Sequence, residues 1–170
     1  APIQRSIQYG DQETGVALQR MVKKLDAGDV IGVRKITIPL EMTAMELHDQ
    51  LALLGADLLR VELMDYIRGN LAPVKQDDAF VTVAKKIDKS ESEIKWNLHA
   101  IEIHNQVRAL TMGPGSYTVF NGKKLKIHKT IPATDAASFN FKVQTQQELK
   151  TYLDDYQKRK AEKSDKAGTI

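Results

Sequence analysis

The sequence predicts an α/β fold organised as two modules joined by a linker. Two stretches rich in β-branched residues, at positions 14–22 and 30–38, flank an acidic turn, and their length and composition are typical of strands. A long segment with apolar residues on one helical face follows them. Further helix and hairpin signals begin after position 90. The predicted boundaries are therefore 1–70 for the first module, 71–90 for the linker and 91–170 for the second module.

The first module begins with a short helical stretch that closes at Gly10. The predicted strands run from Thr14 to Val22 and from Val30 to Ile38, and the turn between them contains the sequence LDAGD. Asp and Gly are common where a chain reverses or takes a positive φ, so Asp26 and Asp29 can be ordinary turn residues. A functional interpretation of these carboxylates needs support from elsewhere in the chain.

The long helix of the first module is predicted to begin at Thr43 and Glu46, which have the spacing of a capping box, and to end at Gly69 and Asn70. Its apolar stripe comprises Leu47, Leu51, Leu54, Leu58, Val61 and Met64. A helix of this length with one apolar face has to pack against a large partner, and a sheet containing the two predicted strands is the simplest one.

The second module is predicted to begin with a helix capped by Asn97, with Trp96 as an apolar anchor at its start. Asn121 and Gly122 lie between alternating segments and predict a hairpin with a type I′ turn. In the strand after this turn, side chains alternate between two faces. Lys124, Lys126 and His128 are thus expected on one face, with Leu125 and Ile127 in the core. The helix is expected to contribute Ile101, Ile103, Val107 and Leu110 to the core.

The last part of the second module has weaker signals. Thr145 and Glu148 have capping-box spacing and precede a charged helical pattern, which predicts another helix. The final residues, AGTI, resemble the start of a strand. We therefore expect the second module to continue beyond its hairpin.

Charge is divided unevenly along the chain. Residues 1–70 carry 8 Lys and Arg against 10 Asp and Glu, whereas residues 71–170 carry 17 against 12. The second part therefore has an electrostatic reason to meet a polyanion, although a solvated lysine-rich surface explains the same counts.

The chain contains no cysteine, which excludes disulfides and a cysteine nucleophile and fits a reducing compartment. No apolar run approaches the roughly 20 residues that span a bilayer, and the first residues lack the apolar core of a signal peptide. We therefore expect a cytoplasmic protein without membrane contact.

The four histidines do not predict a metal site. His48, His99, His104 and His128 lie apart, no two have the i, i+4 spacing of a helical metal site, and no HExxH motif occurs. We expect them to be structural or solvated, and we expect no metal.

A series of short motifs indicates a known family. In chain order these are APIQRSI, GDQETGV, LDAGDV, ELHDQLALLGADLL, VAKKIDKSESEIKW, EIHNQVRAL, GPGSYT and GKKLKI. Their order and approximate spacing resemble those of the bacterial methionyl-tRNA formyltransferases over residues 1–131. The resemblance implies the latter part of a Rossmann-like formyltransferase module, a linker, and a smaller α+β, barrel-like (OB-fold-like) domain. It also implies an internal piece, in which the second domain is incomplete.

Enzymes of that family transfer a formyl group from 10-formyltetrahydrofolate to the α-amine of methionyl initiator tRNA in translation initiation. They use an Asn-x-His pair and a later Asp, which Asp26 matches by resemblance. No Asn-x-His pair precedes Asp26 in these 170 residues, so we expect this chain to be inactive alone. The resemblance also implies a folate-binding loop whose residues act mainly through backbone groups: Val22, Lys23, Lys24 and Leu25.

The basic second part is expected to bind the phosphates of the tRNA acceptor arm, which positions RNA without reading its sequence. The lysines expected in this track are Lys85, Lys86, Lys89, Lys123, Lys124, Lys126 and Lys129. We expect the complete enzyme to be a monomer. Sugar-nucleotide N-formyltransferases and formyltetrahydrofolate dehydrogenases share the catalytic module and its Asp and remain alternatives. A non-catalytic RNA-binding protein is a further alternative, although the second-module motifs favour a tRNA enzyme.

Overall fold

The computed structural model describes residues 1–132, and within that range the chain forms three α-helices and two antiparallel two-stranded sheets. The helices and strands are α1 Pro2–Tyr9, β1 Glu13–Gln19, β2 Val30–Thr37, α2 Ala44–Ile67, α3 Ala100–Ala109, β3 Ser116–Phe120 and β4 Lys123–Ile127. Short 3₁₀ helices lie at Asp78–Phe80, Lys89–Ser92 and Leu110–Met112. The helix and strand predicted from Thr145, Glu148 and AGTI lie outside the described residues. No described helix is long and apolar enough to cross a membrane.

The first sheet pairs β1 with β2, from Glu13 opposite Thr37 to Leu18 opposite Gly32. The register then shifts at Leu18/Gln19, and β1 ends. The prediction that this strand continues to Val22 is therefore wrong, because residues 20–29 leave the sheet as a loop between the strands. β-branched composition cannot show where a bulge ends pairing.

Helix α2 begins as the capping box predicts. The Thr43 hydroxyl accepts a hydrogen bond from the Glu46 amide at 3.3 Å, and the Glu46 carboxylate accepts one from the Thr43 amide at 2.8 Å. The chain leaves the helix at Gly69, whose φ is 80°. Both predicted ends are confirmed to within a few residues.

The apolar stripe of α2 is only partly buried. Leu47, Leu51 and Leu58 lie in the interior, whereas Val61 and Met64 are 42% and 49% exposed. The predicted apolar face is therefore buried mainly in its first turns, although β2 still reaches Leu58 and Glu62, which a Cβ on Gly32 would meet. Periodicity marks the apolar face but not the length of its cover.

The main core joins parts of the chain on both sides of the predicted linker. Ile7 from α1, Ile38, Leu47 and Leu51 pack together with Ala109 from α3. Helix α3 therefore lies against the first module. The core thus continues across the module boundaries that the sequence predicts at residues 70 and 91.

Helix α3 begins later than predicted. Its first residue is Ala100 and its N-cap is His99, whose amide donates to the Glu102 carboxylate at 2.9 Å. Asn97 lies two residues before this N-cap and is therefore not the cap. In the capping box the Glu102 carboxylate, three residues after His99, accepts the hydrogen bond from the His99 amide. Ile101 is exposed rather than buried, although Ile103, Val107 and Leu110 are buried as predicted.

The hairpin of β3 and β4 confirms the predicted turn, with Asn121 at φ 48° and Gly122 at φ 72°. Positive φ at both positions is what a type I′ turn requires. On the inner face Ile127 joins a small core with Ile94, Ile103 and Val107. Leu125 is 46% exposed and takes no part in the small core, so its predicted place there is wrong: it lies two residues nearer the turn than Ile127.

Candidate functional site

The loop of residues 20–29 carries Asp26 on an exposed turn between β1 and β2. Asp26 has a φ of 54°, in the left-handed region that non-glycine residues seldom adopt. Such a conformation persists when surrounding contacts hold it, and it occurs often at functional sites. The backbone around Asp26 is therefore specified by neighbouring groups.

Gly28 closes the base of this loop by allowing two backbones to approach. A Cβ built on Gly28 would overlap the carbonyl oxygen of Arg20, closer than real Cβ contacts come. The Arg20 amide donates to the Asp29 carbonyl at 3.0 Å beside it, and the Asp29 carboxylate lies 3.8 Å from the Arg20 guanidinium. The positive φ expected in this turn thus occurs at Asp26. Gly28 is required for a different reason, because there is no room for a side chain beside the Arg20 carbonyl.

The side-chain amide of Gln76 crosses the loop base from the following segment. Its Nε2 donates to the carbonyl oxygens of Gly28 at 2.7 Å and Asp26 at 2.9 Å, and it lies 3.2 Å from Oε1 of Gln19. Nothing in the local sequence points to Gln76, because a single glutamine in a charged segment carries no signal of such contacts.

Val74 positions this glutamine. Its amide and carbonyl exchange two hydrogen bonds of 2.8 Å with Val30 at the start of β2. Gln76 follows two residues later, and Asp77 then caps the 3₁₀ helix by accepting from the Ala79 amide at 2.9 Å. The first part of the predicted linker is therefore docked on the first module.

The residues expected to bind folate lie on the same loop as Asp26, and all four side chains are exposed. Lys24 reaches the Asp78 carboxylate at 3.3 Å, a contact between two exposed groups. Val22 and Leu25, together with Met21, present apolar side chains to solvent. The loop thus combines an exposed carboxylate with an exposed apolar surface.

The lysines expected to bind RNA fall into separate groups. Lys85, Lys86 and Lys89 are exposed in the segment before α3, and Lys123, Lys124 and Lys126 are exposed on the hairpin, where the Lys124 ammonium lies 3.5 Å from the centre of the Tyr117 ring. Lys129 lies near Glu46: hydrogen bonds from Thr43 chiefly lower the pKa of Glu46, and the charge of Lys129 contributes. Alternation along β4 places Lys124 and Lys126 on one face.

An ion pair fastens the segment before α3 to α1. The Arg5 guanidinium donates to both oxygens of Glu91, at 2.6 and 2.9 Å, and to the carbonyls of Lys85 and Lys86, each at 3.0 Å. Hydrogen bonding to Arg5 chiefly lowers the pKa of Glu91 to about 2. The two basic residues at 85 and 86 are therefore held at fixed backbone positions with exposed side chains.

Helix α3 buries polar side chains that periodicity did not predict as core. His104 lies between the Leu40 carbonyl, 2.9 Å from Nε2, and the Thr130 hydroxyl, 3.0 Å from Nδ1. Arg108 donates to the carbonyls of Pro39 and Met42 at 3.2 and 2.9 Å, and burial lowers its pKa. These contacts hold the turn that begins α2, so His104 is structural, as expected.

No group of three or more His, Asp or Glu residues within 1–132 is arranged to hold a metal ion. Nδ1 of His48 lies 3.1 Å from a carboxylate oxygen of its neighbour Asp49. The exposed carboxylate of Asp26, at its positive φ, makes this loop the candidate site in the described part of the chain.

Comparison with known proteins matches two family models. Residues 1–61 match the model described as formyl transferase, and residues 86–147 match the formyl transferase C-terminal domain. Both matches occur in the chain order that the motifs indicate.

Curated relatives share the chain's sequence at high identity. The methionyl-tRNA formyltransferase of Bdellovibrio bacteriovorus is 57% identical over 138 residues, which cover 81% of this chain and 43% of that protein. The methionyl-tRNA formyltransferase of Coxiella burnetii is 42% identical over 139 residues, covering 82% and 44%. The chain thus spans less than half the length of these relatives.

Among solved structures, an N-formyltransferase from Helicobacter canadensis, in complex with folinic acid and dTDP-3-aminofucose, superposes with a TM-score of 0.60 at 20% identity. The match covers 85% of this chain and 53% of that one. At this identity the similarity is one of fold.

Proposed function

Because the chain belongs to the formyl transferase family, we propose that it acts in an enzyme that transfers a formyl group from 10-formyltetrahydrofolate to the α-amine of methionyl initiator tRNA. The observation that carries the proposal is the 57% identity to the methionyl-tRNA formyltransferase of Bdellovibrio bacteriovorus over 81% of the chain. The exposed carboxylate of Asp26 on a constrained loop supports it.

In this proposal the Asp26 carboxylate keeps the catalytic His of the family charged and oriented and helps to move the proton of the attacking amine. Attack of the amine on the formyl carbon places negative charge on the formyl oxygen and leaves a proton to be removed from the nitrogen. Collapse of this adduct breaks the bond between the formyl carbon and N10 of the donor, and tetrahydrofolate leaves with a proton on N10. In the family an Asn and a protonated His stabilise the oxygen, and a carboxylate keeps that His charged and oriented. Asp26 is the carboxylate that this chain supplies, and Asp29 supports the loop base.

The donor would be held by the loop Val22–Leu25. Two features of the structure fit this role: the side chains at both ends of the stretch are apolar and exposed, and the loop base is fixed at Gly28 and Asp29. A fixed backbone can present its amides and carbonyls to a planar ring while its side chains vary. The formyl group itself is the donor's contribution, and no metal takes part in this proposal.

The tRNA would meet the exposed lysines of the segment before α3 and of the hairpin. Ammonium groups bind phosphates as point charges and give affinity that falls with salt. The further parts of the proposal are a Rossmann-like catalytic module, a barrel-like second domain, a cytoplasmic location and a monomeric complete enzyme. The two family models support the catalytic module and the second domain.

The test is a formyl-transfer assay with the complete enzyme that contains this chain. We expect transfer from 10-formyltetrahydrofolate to methionyl initiator tRNA, and none to uncharged initiator tRNA, which lacks the acceptor amine. An amino-sugar nucleotide is the competing acceptor. Transfer to the sugar alone would establish the sugar N-formyltransferase alternative, and tRNA binding without any transfer would establish a non-catalytic RNA-binding protein.

A further inference from the structure

We propose that Gln76 is a positioning residue that sets the backbone of the Asp26 loop for catalysis. The inference rests on the proposed function of Asp26. Its basis is the convergence of three oxygen atoms from the loop and β1 on one side-chain nitrogen, at 2.7, 2.9 and 3.2 Å.

The chemistry fixes the orientation of this amide. Two of the three oxygens are backbone carbonyls, from Asp26 and Gly28, and a carbonyl oxygen can only accept. The NH₂ group of Gln76 must therefore face them. Its two hydrogens serve the two short contacts, and the longer contact to Gln19 shares one of them.

The contacts act at the positions where the loop is most constrained. Asp26 has its φ at 54°, and its carbonyl is one acceptor. Gly28 is buried against the Arg20 carbonyl, and its carbonyl is the other. Holding both carbonyls fixes the Asp26–Ala27 and Gly28–Asp29 peptide planes. The first of these planes adjoins the Asp26 Cα, so it constrains the backbone from which the Asp26 carboxylate projects.

Gln76 is itself held from the first module. The paired hydrogen bonds between Val74 and Val30 anchor its segment two residues earlier, and the Asp77 cap fixes the chain immediately after it. The side-chain amide of Gln76 therefore projects from a backbone segment that is held on both sides. A misplacement of a reacting group by about 1 Å can cost about 100-fold in rate, so such support bears on turnover.

The experiment compares Gln76→Leu with the parent in the complete enzyme. Leucine keeps a similar volume and removes both donors. We expect kcat for formyl transfer to fall roughly 10- to 100-fold while KM for methionyl-tRNA changes less than about threefold. Gln50→Leu, the same substitution at an exposed position of α2, is the matched control and should retain parental kcat.

Amide hydrogen exchange gives a second measurement that does not depend on activity. In Gln76→Leu the amides of residues 20–29 should exchange faster, while those of α2 stay at parental rates. Unchanged exchange and unchanged kcat would overturn the proposal, as would a kcat loss that merely follows a lower melting temperature. If the parent enzyme transfers no formyl group although Gln76→Leu loosens the loop, the proposed function fails and the positioning contact stands.

Discussion

Asp26 and Asp29 lie three residues apart on one loop but have different surroundings. Asp26 is exposed at a positive φ, whereas Asp29 contributes its carbonyl and carboxylate to contacts with Arg20 at the loop base. The sequence alone could not separate them, because turn chemistry favours aspartate at both positions. Their different contacts make a direct comparison of the two carboxylates informative.

Asp26→Asn in the complete enzyme should lower kcat for formyl transfer by roughly 100-fold or more, with KM less affected, because it removes the charge and keeps the size. Asp29→Asn is the matched control and should cost far less, since the Asp29 carbonyl contact remains. Steady-state kinetics on methionyl-tRNA measures both. Equal losses at the two positions would contradict a catalytic role for Asp26.

The Arg5–Glu91 pair gives the stability of the protein a specific dependence on pH. The two side chains are 10% and 27% exposed. The pKa of Glu91 is lowered from 4.5 to about 2 in the folded protein, chiefly by the hydrogen bond from Arg5. Its stabilising contribution is therefore complete above about pH 4.5 and is lost as the pH falls through 2. The pKa difference corresponds to at most about 3 kcal/mol.

Glu91→Gln should accordingly lower the free energy of unfolding at pH 7 by roughly 2–3 kcal/mol and flatten its decline below pH 4.5. Urea unfolding at several pH values measures both effects. Asp11→Asn removes an exposed carboxylate six residues after Arg5 and serves as the control. A Glu91→Gln protein that keeps the parental acid dependence would show that another group is responsible.

At the scale of elements, Gly55 is the only glycine inside helix α2. A Cβ there would meet the nearest side-chain atom, Cγ2 of Val16 on β1, at 3.6 Å, which is ordinary van der Waals contact. Glycine inside a helix costs roughly 1 kcal/mol relative to alanine. Both the free space beside Gly55 and the higher helix propensity of alanine therefore favour alanine at this position.

Gly55→Ala should raise the free energy of unfolding by about 0.5–1 kcal/mol, as a higher urea midpoint. Gly28→Ala is the opposing comparison, since its methyl group would overlap the Arg20 carbonyl and should destabilise the loop by about 1–3 kcal/mol. A Gly28→Ala protein as stable as the parent would show that the close approach at Gly28 is unimportant, and a less stable Gly55→Ala protein would contradict the prediction for the helix.

At the scale of the whole molecule, exposed lysines occur on both sides of α3, and the proposal that they bind RNA predicts a measurable salt signature. Lys85→Ala with Lys86→Ala, and separately Lys124→Ala with Lys126→Ala, should weaken tRNA binding in the complete enzyme. Each lost phosphate contact should reduce the log-log salt slope by roughly 0.7–0.9. Binding isotherms across a salt series measure this slope.

Lys35→Ala is the control for these variants, because Lys35 is an exposed lysine on β2 that pairs with Glu13 at 2.8 Å. It should leave the tRNA affinity and the salt slope at parental values. Parental slopes in both double variants would mean that the basic second part is a solvated surface.

The features that the sequence determined by itself depend on residues close together in the chain. The Thr43–Glu46 box begins α2, Asn121-Gly122 turns the hairpin, and the ordered motifs identified the formyl transferase family, which the comparisons confirm. Capping and turn preferences act over at most a few residues, so the local sequence is enough to predict them.

Only the tertiary structure decided which groups meet across long stretches of chain. Gln76 bonds to atoms 48, 50 and 57 residues away, Glu91 pairs with Arg5, and Gly28 is required because the Arg20 backbone lies against it. The polar side chains of α3 are buried for the same reason, since distant carbonyls accept their hydrogen bonds. Such partners are selected by packing of the whole chain, and no local pattern records them.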